Sequence, residues 1–175
     1  MPYLNSRITQ IYRQITRNRL VDTIRYNAPL FISAEIVMST TTPNASDHRV
    51  ILCMKWGEKY GPEYVNRLYA MVRRHLQGDF QFVCLTDRTE GIRSEVDCFP
   101  IPPLNLPAGL PERGWKKLTT FTADLHGLHG TALFLDLDVV ITDSMDCFFA
   151  YPGEFLIIHD WKRPWRVTGN SSVYR

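Results

Sequence analysis

At 175 residues the chain has the length of one ordinary domain, and 45% apolar against 22% charged residues excludes a disordered, collagen-like or disulfide-stapled chain. Lys plus Arg 20 against Asp plus Glu 18 gives a formal net charge of +2, too small to argue for a nucleic-acid partner, and none is expected. The charge is unevenly placed, because residues 1 to 27 hold Arg7, Arg13, Arg17, Arg19 and Arg25 against Asp22 alone.

In that basic stretch Ile8, Ile11, Tyr12 and Ile15 recur at helical spacing, which predicts an amphipathic helix. Ser39 to Asp47 is polar and turn-rich and reads as a linker. Residues 1–47 are therefore expected to form a basic helical arm and linker, and 48–175 the compact domain. Arg49 to Met54 is a β-branched and apolar run, a strand. Gly61-Pro62-Glu63 then announces a helix, with Val65, Leu68, Tyr69, Val72 and Leu76 at the 3.6 period and Gly78 placed for a left-handed cap. Phe80 to Leu85 and Val96 to Ile101 read as further strands. A second helix is expected from Trp115, with Leu118, Phe121, Leu125 and Leu128 on one face and Gly127 or Gly130 ending it. Ala132 to Ile141 is the most apolar strand, Asp143 to Phe149 a short helix and Glu154 to Ile158 another strand. Strands alternating with helices mean an α/β fold with a largely parallel sheet.

Cys53, Cys84, Cys98 and Cys147 form no CxxC pair, and three of them sit in apolar runs as small core residues, which fits a reducing compartment. No stretch approaches the ~20 apolar residues a membrane span needs. The expected location is cytoplasmic. The basic arm is a candidate for peripheral contact with anionic lipid at the inner face of the membrane, the alternative being a helix packed on the domain.

Within Leu133-Phe134-Leu135-Asp136-Leu137-Asp138-Val139-Val140-Ile141, strand periodicity puts the leucines, Val139 and Ile141 on one face and Asp136 and Asp138 on the other, about 7 Å apart. Two carboxylates on a sheet covered on both faces need a cation, since an unpaired buried carboxylate costs several kcal/mol. Mg²⁺ or Mn²⁺ takes one or two carboxylates together with phosphate oxygens, so both aspartates are candidate metal ligands. The alternative is a pair held by Lys or Arg at a strand end. A calcium loop of the EF-hand kind is excluded, because positions six and twelve from Asp136 are Ile141 and Cys147 rather than Gly and Glu. Trp115-Lys116-Lys117-Leu118 places two lysines in the first turn of a predicted helix, where the macrodipole is already positive. A bound phosphate would relieve that conflict, against the alternative of lysines turned to solvent.

In this order the segments resemble the glycogenin and lipopolysaccharide-galactosyltransferase group of GT-A glycosyltransferases over roughly 48–175. Lys117-Leu118 is similar to the group's Lys-Leu segment, whose lysine contacts donor phosphate. Phe134-Leu135-Asp136-Leu137-Asp138 is similar to its DxD strand, whose aspartates hold Mn²⁺ and the diphosphate. Asn170-Ser171-Ser172-Val173 is similar to the segment bordering acceptor and donor sugar, with Gly169 where the group has Phe and Ser172 where it has Gly or Ala.

The resemblance implies a Rossmann-like GT-A fold that is incomplete at the C-terminus, where the group supplies a metal-completing His. An unprotected sheet edge is expected at Val173-Tyr174-Arg175. It further implies a nucleoside held near Met54 to Gly57 and Thr86-Asp87, with Asp87 on uracil or ribose, or else merely forming a turn. Trp161 to Arg166 would offer Trp165 to a sugar, or be an ordinary loop.

The function expected is metal-dependent transfer of a sugar from a nucleotide-diphosphate donor, UDP-sugar by resemblance, to an unidentified acceptor. Asp87, Lys117, Asp136 and Asp138 would bind the donor, Asp136 and Asp138 also Mn²⁺ or Mg²⁺, and Trp165, Asn170 and Ser171 the acceptor or sugar; no catalytic base is assigned. The alternatives are a nucleotide-binding module without turnover and, on the same Asp-x-Asp strand, a chain resembling haloacid-dehalogenase phosphatases.

Overall fold

The computed structural model describes residues 48–105, 114–162 and 165–175. The expected basic arm and linker at 1–47 lie outside the described residues. In chain order the elements are β1 (Arg49–Lys55), α1 (Pro62–His75), β2 (Gln81–Thr86), β3 (Asp97–Phe99), a 3-10 helix (Gly114–Phe121), β4 (Thr131–Leu135), α2 (Asp146–Ala150), β5 (Ile157–His159) and β6 (Gly169–Tyr174). They build an α/β domain around one six-stranded sheet of order β3-β2-β1-β4-β6-β5. β3, β2, β1 and β4 are parallel, and β6 runs antiparallel to both β4 and β5.

The central strands are apolar on both faces because both faces are covered. On one side Ile51, Cys53, Leu133 and Leu135 pack with Val65, Leu68 and Val72 of α1; on the other Val50, Leu52, Met54, Phe134 and Tyr174 pack with Leu125. Each fully buried aliphatic side chain contributes about 1.5–3 kcal/mol. Register sets Cys53 opposite Cys84 and Cys84 opposite Cys98, a row of free thiols across three strands. Burial holds the fully buried Cys53 thiol and the partly buried Cys98 thiol above their ordinary pKa.

Helix α1 starts at Pro62 with Glu63 in its first turn and ends on Arg73, Arg74 and His75, in agreement with the macrodipole. Its last bond runs from the Leu76 N–H to the Val72 carbonyl at 2.8 Å. Gly78 has φ +77°, but it lies two residues past that cap, in the loop to β2 rather than at the helix end. Gly130, at φ +97°, lets β4 begin beside β1: a Cβ there would run into the His48 carbonyl, which accepts the Thr131 N–H at 2.9 Å.

Three expectations are corrected. The strand expected from Ala132 to Ile141 ends at Leu135, because its pairing with β1 stops at Phe134 and its pairing with β6 stops at Leu135. The helix expected from Trp115 to Leu128 is a short 3-10 helix. Thr119, Thr120 and Thr122 each bond the carbonyl three residues back at 2.7 Å, holding the tighter turn, and Trp115, Leu118 and Phe121 fall three apart in one exposed row. The last strand, expected to leave an open edge, is interior: β6 pairs with β4 on one side and β5 on the other. Behind it, the Arg175 guanidinium donates to the carbonyls of Phe148 at 2.8 Å, Tyr151 at 2.7 Å and Gly153, closing the C-terminal end of α2.

Candidate functional site

From β1 the chain builds β2 and β3 to one side of the sheet and β4 to the other, so the carboxyl ends of β1 and β4 flank the point where strand order reverses. Loops leaving a parallel sheet there diverge and open a crevice, the usual seat of a ligand in such folds. A cleft of about 360 Å³ occupies this position, and its polar and aromatic lining comes from Trp56, Lys59, Tyr60, Lys117, Asp136 and Asp138.

The two aspartates stand on a turn rather than on a continuing strand. The Asp136 N–H donates to the Ser172 carbonyl at 2.9 Å, and the Asp136 carbonyl takes the Val139 N–H at 3.2 Å. Leu137, Val139 and Ile141 are nevertheless buried in the α1-side core, as alternation required, and they anchor the turn. Asp136 is left half-buried and Asp138 exposed. Fixed apolar neighbours thus present both carboxylates to the cleft without sheet pairing.

Lys117 reaches Asp136 from the 3-10 helix. Its ammonium lies 2.6 Å from Oδ1 and 2.8 Å from Oδ2 of Asp136, and donates to the Ser171 carbonyl at 3.2 Å. Three residues on in the same row of that helix, Thr120 shares a hydrogen bond of 2.8 Å with the Tyr174 hydroxyl. Tyr174 stacks on Phe134 at 4.8 Å and on Phe121 at 5.5 Å. Burial, with the negative charge of Asp136 as a smaller contribution, pushes the Tyr174 hydroxyl up to about 12.

From the β1 side, the Tyr60 hydroxyl donates to Asp138 Oδ2 at 3.1 Å, and the Lys59 ammonium lies 4.8 Å from the Tyr60 ring centre. Hydrogen bonding to Tyr60 first, then the charges of Asp138 and Asp136, holds that ammonium above its ordinary pKa. Lys116 lies over the Trp56 ring at 5.5 Å. Two carboxylates therefore face Lys59 and Lys117, with aromatic walls on one side.

The structure brings Lys117, Asp136, Asp138 and the Ser171 carbonyl together. Asp87 does not itself line the cleft but adjoins it: Oδ2 accepts the N–H of Gly57, next to Trp56, at 2.9 Å, a bond that holds the Asp87 carboxyl below its usual pKa and ties the loops after β1 and β2 together. The Asn170 side chain accepts the Ser172 N–H at 2.9 Å, a bond within β6. Trp165 is 78% exposed on the β5–β6 connection and does not line the cleft. Sequence reading pointed to Met54–Gly57 but missed Lys59 and Tyr60. The available signal was Trp56-Gly57-Glu58-Lys59-Tyr60-Gly61, an aromatic and basic loop between a strand and a helix, with Gly57 at φ +62°.

Among the described residues no group of three or more His, Cys, Asp or Glu is placed to hold a metal ion. Asp136 and Asp138 alone would supply the protein ligands, with the rest of the shell left to ligand oxygens and water. Magnesium and manganese accept that donor set when phosphate is present, so the residues fit a metal that arrives with a phosphorylated ligand. No protein-family model, curated protein or solved structure matches the chain.

Proposed function

We propose that the domain is the donor-binding part of a metal-dependent GT-A glycosyltransferase, taking a sugar from a nucleotide diphosphate, UDP by resemblance, to an acceptor not yet identified. The observation carrying this reading is the convergence of Lys117, Asp136 and Asp138 in one cleft at the strand-order reversal. Three side chains from two distant segments meet where a diphosphate would need a cation, a metal and an open end of the sheet.

When bound, Mn²⁺ or Mg²⁺ supplies positive charge against the departing nucleotide diphosphate. Asp136 and Asp138 would hold that ion, Asp138 being oriented by the Tyr60 hydroxyl. Lys117 presents its ammonium to the phosphate oxygens, where its charge counts most as the leaving group gains negative charge. Trp56 and Tyr60 offer flat faces to the rest of the nucleotide. Ser171, whose carbonyl meets Lys117, borders the sugar side.

Calorimetry of UDP in Mn²⁺ and in EDTA, followed by UDP release from several UDP-sugars, tests the reading. Metal-dependent binding in the micromolar to millimolar range with turnover supports it. Metal-dependent binding without turnover gives the nucleotide-binding module instead. Equal affinity in Mn²⁺ and EDTA overturns the metal bridge.

A further inference from the structure

The Lys117 ammonium sits astride both oxygens of Asp136, at 2.6 Å and 2.8 Å, with a third bond to the Ser171 carbonyl at 3.2 Å. That is the place a divalent ion would take on a carboxylate used in bidentate fashion. Both cations cannot occupy it: a divalent and a monovalent charge at ion-pair separation repel by enough to change a binding constant roughly tenfold or more, even at the dielectric of water. With Lys117 in place, the other carboxylate, Asp138, faces the charge of Lys59 and has one of its oxygens bonded by Tyr60. A free metal ion therefore meets a site closed by the protein's own cation.

We propose that Lys117 is a resident counter-cation that closes Asp136 to free metal and yields it only when a diphosphate arrives with the metal, so that the two load together. The inference rests on the reading above. A diphosphate brings the negative charge that the Lys117 ammonium needs in order to leave Asp136, and Asp136 then faces the metal. Linkage makes this reciprocal: metal strengthens nucleotide binding by the same factor by which nucleotide strengthens metal binding. A lysine serving only as a strut between the turn after β4 and β6 would behave differently, since its removal would weaken both ligands alike.

The test measures Mn²⁺ binding by electron paramagnetic resonance, at fixed ionic strength, with and without UDP, for the wild-type chain, Lys117→Met and Lys117→Arg. The expected wild-type result is weak binding of Mn²⁺ alone, tightened at least about tenfold by UDP. Lys117→Met should bind Mn²⁺ alone about tenfold more tightly than wild type and UDP in saturating Mn²⁺ about tenfold more weakly, while Lys117→Arg keeps the wild-type pattern.

Unchanged or weaker binding of Mn²⁺ alone by a folded Lys117→Met protein, while wild type binds Mn²⁺ and UDP together, overturns the counter-cation role and leaves the metal-nucleotide reading standing. Absence of Mn²⁺ binding by wild type with and without UDP overturns both. Should Lys117→Met fail to fold, the wild-type protein decides alone: no enhancement of Mn²⁺ affinity by UDP or by inorganic pyrophosphate overturns the proposal, and an enhancement of about tenfold by both supports it.

Discussion

The Tyr60 hydroxyl donates to Oδ2 of Asp138 at 3.1 Å, joining the loop after β1 to the turn after β4. The bond connects two segments that chain order keeps far apart, and it orients an exposed carboxylate that no other described element holds. Tyr60→Phe should preserve the fold, because the ring keeps its edge contact with Tyr64 at 4.8 Å. Its melting temperature should change by no more than about 2 °C. Affinity for UDP with Mn²⁺ should drop about three- to tenfold, the loss expected for one hydrogen bond that orients a ligating group. Parallel calorimetry and thermal melts check both halves.

The two aspartates should respond differently to removal of their charge. Asp136→Asn breaks an ion pair whose side chains are only 17% and 23% exposed, leaving Lys117 without its carboxylate, and should cost about 1–3 kcal/mol of stability in EDTA. Asp138→Asn, at an exposed position, should change stability by no more than about 0.5 kcal/mol. Both should weaken metal-dependent nucleotide binding. Urea unfolding of the two variants measures the contrast, and equal stability costs would contradict it.

Tyr174 makes the domain sensitive to alkaline pH. Its hydroxyl titrates near 12 in the folded domain, chiefly because it is buried, against about 10 for an unfolded chain. Below pH ~10 both states keep the proton and the contribution is complete. Between ~10 and ~12 the unfolded chain loses its proton first, so stability falls as pH rises, by up to about 3 kcal/mol in all. Tyr174→Phe should be about 1 kcal/mol less stable at neutral pH, having lost its bond to Thr120, yet show a shallower decline above pH 10. Unfolding midpoints from pH 8 to 12 for both proteins give the comparison.

Arg175 holds the end of α2. Replacing it with Ala leaves the carbonyls of Phe148, Tyr151 and Gly153 without the donor they share and should cost about 1.5–3 kcal/mol, as expected for hydrogen bonds to a charged group. Arg175→Lys should recover only part of this, since one ammonium cannot match the spread of a planar guanidinium. Hydrogen exchange should show the loss first at residues 146–151, before the central strands.

The continuous apolar runs of β1 and β2 and the 3.6-residue period of α1 were sufficient to place these elements, because the two strands are buried on both faces and α1 buries one apolar stripe. Alternation through Leu133, Leu135, Leu137, Val139 and Ile141 likewise foretold which residues enter the core, although the last three do so from a turn. Burial pattern is a property of side chains and survives the end of a strand. Strand pairing is not, which is why the boundary at Leu135 was out of reach. The 3-10 helix was misread for a related reason: an apolar residue at every third position fits an α-helical face loosely, and three threonine hydroxyls bonding backward settled the tighter turn.

The sequence alone determined an α/β domain and its core strands, and singled out the two aspartates and the lysine that meet in one cleft, since these follow from local spacing and from the cost of crowding like charges. Only the tertiary structure decided that β6 lies inside the sheet, that Tyr60 reaches Asp138, that Asp87 serves the Gly57 loop and that Lys117 rests on Asp136. Each of these depends on contacts between segments remote in sequence, whose positions are set by sheet order and register rather than by the residues' own neighbours.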